Sequence, residues 1–276
     1  MRIEGKNLQI EVNGLVVNYT DLGPDNAHVL LFVHGFPFSA SMWQGQLDAF
    51  QEEYRVIAYD VRGHGQSEAG KEPFSIQLFA SDLLGFMDAL KIDNVALCGL
   101  SMGGYIALNT INVVPNRFDA LVLCDTACSA DSPEGREKRM KTVEDLGKNG
   151  IEPYAEASLA KLFAPDSLKN KAALVANIKK TILATPLKTL TKTLHALADR
   201  RDTCDTLFSI KVPVLILVGK EDGITPPEVA DKMRDSIPGS ELQVIPQAGH
   251  LSNLENPEVF DAHLRSFLMG VYPRSI

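Results

Sequence analysis

The chain has 276 residues, 45% hydrophobic and 22% charged, with 27 basic and 35 acidic residues and a net charge of −8. It is too apolar for a disordered chain and long enough to bury a sizeable core. The acidic balance disfavours an affinity built on phosphate neutralisation, so no nucleic-acid partner is expected. No uncharged apolar run of about 18 residues is present to cross a bilayer. The start, MRIEGKNLQIEVNG, has no apolar stretch behind a basic tip. No export signal, no membrane insertion and a cytoplasmic location are therefore expected.

In chain order, LQIEVNGLVVNY reads as a hairpin turning at Asn13-Gly14, because both positions of a type I′ turn need a positive φ. Continuous apolar runs of strand length follow at Val29 to His34, Tyr54 to Asp60, Val95 to Gly99 and Ala120 to Asp125. Such runs, separated by helical patterns, mark strands buried on both faces of a largely parallel sheet. Ser75 to Leu90 carries Ile76, Phe79, Leu83, Phe86, Met87 and Leu90 at three- and four-residue spacing, one apolar stripe. Met102 to about Val114 reads as a second helix, stopped by Pro115. After residue 205 the rhythm returns: strands at Val212 to Gly219 and Glu241 to Pro246, helices at Glu228 to Ile237 and Pro257 to Leu268.

Residues 131–205 break that rhythm. They hold helical patterns, no buried strand, and 14 Lys or Arg against 11 Asp or Glu. The expected organisation is a core of residues 1–130 and 206–276 with a helical cap inserted at 131–205. Four cysteines are present, Cys98, Cys124, Cys128 and Cys204, with no Cys-x-x-Cys pair. With no export signal, all four are expected to be reduced and structural.

The sharpest chemical signal is Gly99-Leu100-Ser101-Met102-Gly103, a G-x-S-x-G between a strand and a helix. A tight strand-to-helix turn crowds the nucleophile's backbone, and glycine on either side makes room. Ser101 then sits at a helix N-terminus, where developing negative charge is favoured. A neutral serine needs a base and a group to orient that base, in the chain order Ser, acid, His. Of the histidines after Ser101, His195 lies in an amphipathic helical pattern and His263 in the last helix. His250 lies in a loop beyond the final strand and is the expected base. Asp222, just past the strand ending at Gly219, is the expected acid. Its neighbour Glu221 and Asp125, which ends another strand, are rivals; loop anchoring or helix capping is the more natural use of Asp125.

The oxyanion would be held by two backbone N–H groups, those of Met102 and of Phe36 in the loop His34-Gly35-Phe36-Pro37. Pro37 has no N–H to give. His34 is expected to anchor that loop. The segment Asp60-Val61-Arg62-Gly63-His64-Gly65-Gln66-Ser67 reads as a tightly bonded turn, with Asp60 and Arg62 as candidate rim contacts. Asp60 and His64 have no third ligand at metal-binding spacing, so no metal site is expected. Neither G-x-G-x-x-G nor G-K-[ST] occurs, which removes the usual support for a nucleotide cofactor.

Together, HGFP, D-x-R-G-H-G-x-S, GLSMGG and the pair Asp222 and His250 resemble the α/β-hydrolases that carry a helical cap. The resemblance spans residues 34 to 250. It implies a mostly parallel eight-stranded sheet flanked by helices, with Ser101, Asp222 and His250 as triad and Phe36 and Met102 as oxyanion donors. The ending AGHLSNxExP is similar to that of 3-oxoadipate enol-lactonases, a pattern shared with related carboxylesterases. The activity this implies is hydrolysis of a small carboxylic ester or lactone through an acyl-enzyme, with no cofactor. The alternatives on the same scaffold are the enol-lactonase reaction itself, a carbon–carbon bond hydrolase, or a small-ligand receptor.

Overall fold

A computed structural model describes residues 2–273. In chain order its elements are β1 (Gly5–Val12), β2 (Leu15–Leu22), β3 (Val29–Val33), α1 (Gln44–Phe50), β4 (Arg55–Tyr59), α2 (Ile76–Ala89), β5 (Val95–Leu100), α3 (Met102–Ile111) and β6 (Phe118–Cys124). Five helices follow before the next strand: α4 (Pro133–Asn149), α5 (Ile151–Leu162), α6 (Pro165–Asn170), α7 (Ala172–Ala184) and α8 (Leu187–Ala198). The chain then runs β7 (Val214–Gly219), α9 (Pro227–Ser236), β8 (Glu241–Ile245), α10 (Ser252–Glu255) and α11 (Pro257–Val271). The sheet order is β1-β2-β4-β3-β5-β6-β7-β8. β1 and β2 are antiparallel to their neighbours, and every pairing from β4 onward is parallel.

The continuous apolar runs follow from burial on both faces. Leu31 and Val33 of β3 join one core with α2, α3 and α9, while Leu30 and Phe32 join another with Trp43, Phe50 and Phe260. Asn13 and Gly14 turn the β1–β2 hairpin with φ of 51° and 76°. Ser75 caps α2 by accepting from the Leu78 N–H. α3 ends at Ile111, three residues before the expected Val114. Pro115 bars helical backbone at the residue before it, and Val114 sits at φ −137°, ψ 67°. α11 runs three residues past Leu268 to Val271.

One expectation is corrected. Cys98 and Cys124 are free and buried on the adjacent strands β5 and β6, but Cys128 and Cys204 form a disulfide. The chain leaves the sheet after β6 and returns before β7, its neighbour. The two cysteines, 76 residues apart in sequence, therefore meet with Cα atoms 4.8 Å apart at the base of the inserted helices. Their sequence separation hid this proximity.

Candidate active site

The β5–α3 turn places Ser101 at φ 53°, ψ −111°, a conformation that costs a non-glycine residue free energy. The surrounding backbone holds it there. The Ser101 N–H donates to the Cys124 carbonyl, the Thr126 hydroxyl donates to the Ser101 carbonyl at 2.8 Å, and the same carbonyl accepts from Gly104 N–H. The glycines are steric requirements. A Cβ on Gly99 would lie 2.4 Å from the Gly103 carbonyl oxygen, and one on Gly103 would lie 2.2 Å from that of Val33.

His250 stands in the loop between β8 and α10, and Asp222 in the loop after β7. The Ser101 hydroxyl faces His250 Nε2 at 3.0 Å, and His250 Nδ1 faces Asp222 Oδ2 at 2.8 Å. The other carboxylate oxygen, Asp222 Oδ1, accepts from the N–H groups of Ile224 and Thr225 at 2.8 and 3.0 Å. Thr225 was not singled out from the sequence. Its hydroxyl donates to Asp222 Oδ2 at 2.7 Å and lies 3.3 Å from His250 Nδ1. A hydroxyl three residues beyond the acid, in a turn, was the available signal.

Asp222 and His250 are each 3% exposed. Burial disfavours charge on Asp222, yet the His250 charge and the hydrogen bonds from His250 and Thr225 outweigh it, leaving its pKa below the ordinary carboxylate value. Burial likewise works against protonated His250. The Asp222 carboxylate overcomes it and the histidine pKa is raised. His250 therefore holds a proton more readily than a free imidazole does.

Glu221, the neighbouring rival, is exposed. Asp125 is fully buried but makes a different set of contacts. It accepts from the Gly219 N–H at 2.8 Å and from the Ser252 hydroxyl, tying the ends of β6 and β7 to the start of α10. Burial and the nearby Asp222 charge push its pKa up to about 8.

Met102 opens α3, and Phe36 follows β3. Among the described residues neither N–H is engaged by a protein acceptor. His34 accepts from the Val61 N–H through Nε2 at 2.9 Å and faces the Gly35 carbonyl through Nδ1 at 2.8 Å. That joins the Phe36 loop to the loop after β4. Burial lowers the His34 pKa to about 4, so it is neutral near pH 7. Asp60 accepts from Ala40 N–H, Gln66 N–H and the Asn18 amide. Arg62 pairs with Asp82 of α2 instead, its Nε 2.6 Å from the carboxylate. His195 is exposed on α8, and His263 lies on α11.

Ser101, His250, Met102 and Phe36 all line a cavity of about 350 Å³. Its roof comes from α4, α5 and α8. Three basic residues, Lys138, Arg139 and Lys161, stand on the α4 and α5 walls. Arg139 is paired with Asp131, while Lys138 and Lys161 form no salt bridge among the described residues. A serine hydroxyl, a histidine, a buried carboxylate and unengaged N–H groups converging on one cavity form an arrangement that can support acyl transfer.

A family model described as alpha/beta hydrolase fold matches residues 28–257. The chain belongs to this family. The hydrolase is similar to a thermophilic esterase from Thermogutta terrifontis, with 33% identity and a TM-score of 0.92 over 97% of this chain and 100% of that one. It is also similar to the enol-lactonase from Burkholderia xenovorans LB400, with 30% identity and a TM-score of 0.89 over 95% and 100% of the two chains. 3-Oxoadipate enol-lactonase 1 of Acinetobacter baylyi is 30% identical over 268 residues, 97% of this chain and 95% of that protein.

Proposed function

We propose that this hydrolase cleaves small carboxylic esters or lactones through an acyl-enzyme on Ser101. The observation that carries the reading is the continuous chain from Ser101 through His250 to Asp222 at 3.0 and 2.8 Å, opening onto the cavity. His250 Nε2 takes the hydroxyl proton as Oγ bonds to the carbonyl carbon. The carbonyl electron pair moves to oxygen, where the Met102 and Phe36 N–H groups stabilise it. As the carbonyl re-forms, the bond to the leaving oxygen breaks and His250 delivers its proton there. Water, deprotonated by His250, then attacks the acyl carbon, and Ser101 leaves with that proton. A lactone would keep its leaving oxygen tethered to the acyl group until deacylation. The inserted helices, with residues 131–205 as the cap, would select the substrate.

A second reading narrows the substrate to an anionic lactone, as in the enol-lactonases. It is favoured by Lys138 and Lys161, two unbridged cations on the cavity wall. Turnover of p-nitrophenyl acetate tests the broader reading: steady multiple turnover, lost in Ser101→Ala, is expected. A single burst with no further release would instead mark a binding protein. For the narrower reading, a carboxylate-bearing lactone should show a higher kcat/KM than its methyl ester, with the preference lost when Lys138 and Lys161 are replaced by Met. Equal rates for the two would reject it.

A further inference from the structure

Glu255, the last residue of α10, is 1% exposed and lies five positions past His250. Its carboxylate accepts two main-chain N–H groups from separate parts of the molecule. Oε1 accepts from Gly249, the residue before the histidine, at 2.8 Å, and Oε2 accepts from Ala164, between α5 and α6, at 2.8 Å. The same two segments meet a second time, where the His250 N–H donates to the Leu162 carbonyl at 2.8 Å. Their backbones touch closely enough that a Cβ on Gly249 would lie 2.7 Å from Ala164 N and 2.9 Å from the Phe163 carbonyl carbon. Leu162, Phe163, Ala248 and Leu251 pack in one apolar cluster around this joint. Lys171 of the α6–α7 junction donates to the Glu255 carbonyl.

We infer that Glu255 is a positioning residue for His250: it locks the histidine loop to the α5–α6 turn, so that the inserted helices form part of the mounting of the base. This rests on the proposed role of His250. A carboxylate is required because both partners are donors. A glutamine would set its NH2 against one of the two N–H groups and leave a buried donor unpaired. At this corner the inserted helices are therefore tied to the histidine loop.

Loss of the negative charge supplies a signature beyond simple loosening. The acidic groups facing His250 are Asp222 from the loop after β7, Asp125 from the end of β6 and Glu255 from α10, and each raises the histidine pKa against burial. The hydroxyls of Ser101 and Thr225 that face its ring are uncharged, and the cavity it lines also carries Asp131, Lys138, Arg139 and Lys161, which an exchange at Glu255 leaves in place. Replacing Glu255 by a neutral residue therefore lowers the pKa of His250.

The test measures kcat, KM and the pH profile of kcat/KM for Glu255→Gln with p-nitrophenyl acetate. A fall in kcat of about tenfold or more is expected, since small displacements of a catalytic group are costly. KM should stay within about twofold, because Glu255 itself is not part of the cavity wall. The acid limb of kcat/KM should move to lower pH. A wild-type kcat, or a reduced kcat with an unmoved acid limb, overturns the inference. Should Glu255→Gln not fold, Glu255→Asp keeps the charge but is one methylene too short to reach the Gly249 and Ala164 N–H groups together. That variant should lose kcat about threefold or more with KM and the acid limb in place, and wild-type kcat would again overturn the inference. Wild-type activity that survives Ser101→Ala would instead defeat the proposed chemistry itself.

Discussion

Replacing Asp222 by Asn tests the orienting carboxylate with almost no change of shape. Oδ1 accepts from the Ile224 and Thr225 N–H groups, so an amide keeps its oxygen there. Its NH2 then occupies the position of Oδ2, 2.8 Å from His250 Nδ1. An amide NH2 donates, so Nδ1 must become the acceptor and the imidazole proton moves to Nε2. That nitrogen faces the Ser101 hydroxyl at 3.0 Å and must be proton-free to act as a base. The wrong tautomer costs on the order of 10⁴ in kcat, the loss known for this exchange in serine proteases. At 1.36 kcal/mol per tenfold this is about 5.5 kcal/mol of transition-state stabilisation. Steady-state hydrolysis of p-nitrophenyl acetate reads kcat, and thermal unfolding checks that the variant is folded. KM should change little, because Asp222 is not part of the cavity wall. A kcat within tenfold of wild type would refute the assignment, as would a larger loss from Asp125→Asn.

Three further outcomes follow from other contacts. Gly103→Ala should lower stability by about 1–3 kcal/mol, because its methyl meets the Val33 carbonyl and rigid backbone must shift. Urea unfolding measures it, and wild-type stability would show that the β5–α3 turn is looser than described. Cys128→Ser should destabilise the chain by up to about 4 kcal/mol, from the entropy of closing a 76-residue loop. The same unfolding midpoint for wild type with and without dithiothreitol would contradict the disulfide. The acid limb of kcat/KM should lie above the ordinary imidazole value, since the His250 pKa is raised and only the neutral form accepts the serine proton. A limb below that value would mean that burial outweighs Asp222.

Much of this architecture is legible in the sequence because its causes are local. The apolar runs at β3, β5 and β7 are short, continuous and bounded by turn residues, as strands covered on both sides are, and Gly99 answers to the Gly103 carbonyl four residues on. Where the structure goes beyond the sequence, the cause is contact between distant segments. Arg62 pairs with Asp82, twenty residues on, rather than with Asp60 beside it. Cys128 meets Cys204 only because β6 and β7 are neighbours. The hydroxyl of Thr225 gains its meaning from the direction of the Asp222 carboxylate. The inserted helices were least readable: α4 buries only Leu146, so little apolar periodicity marks how it packs.

Covalent labelling tests the nucleophile most directly. After reaction with a fluorophosphonate, digestion and mass spectrometry should find one adduct per chain, on the peptide containing Ser101, with activity lost in proportion. Ser101→Ala should be neither labelled nor active. Labelling at another residue, or ester turnover that persists in Ser101→Ala, would contradict the proposed chemistry.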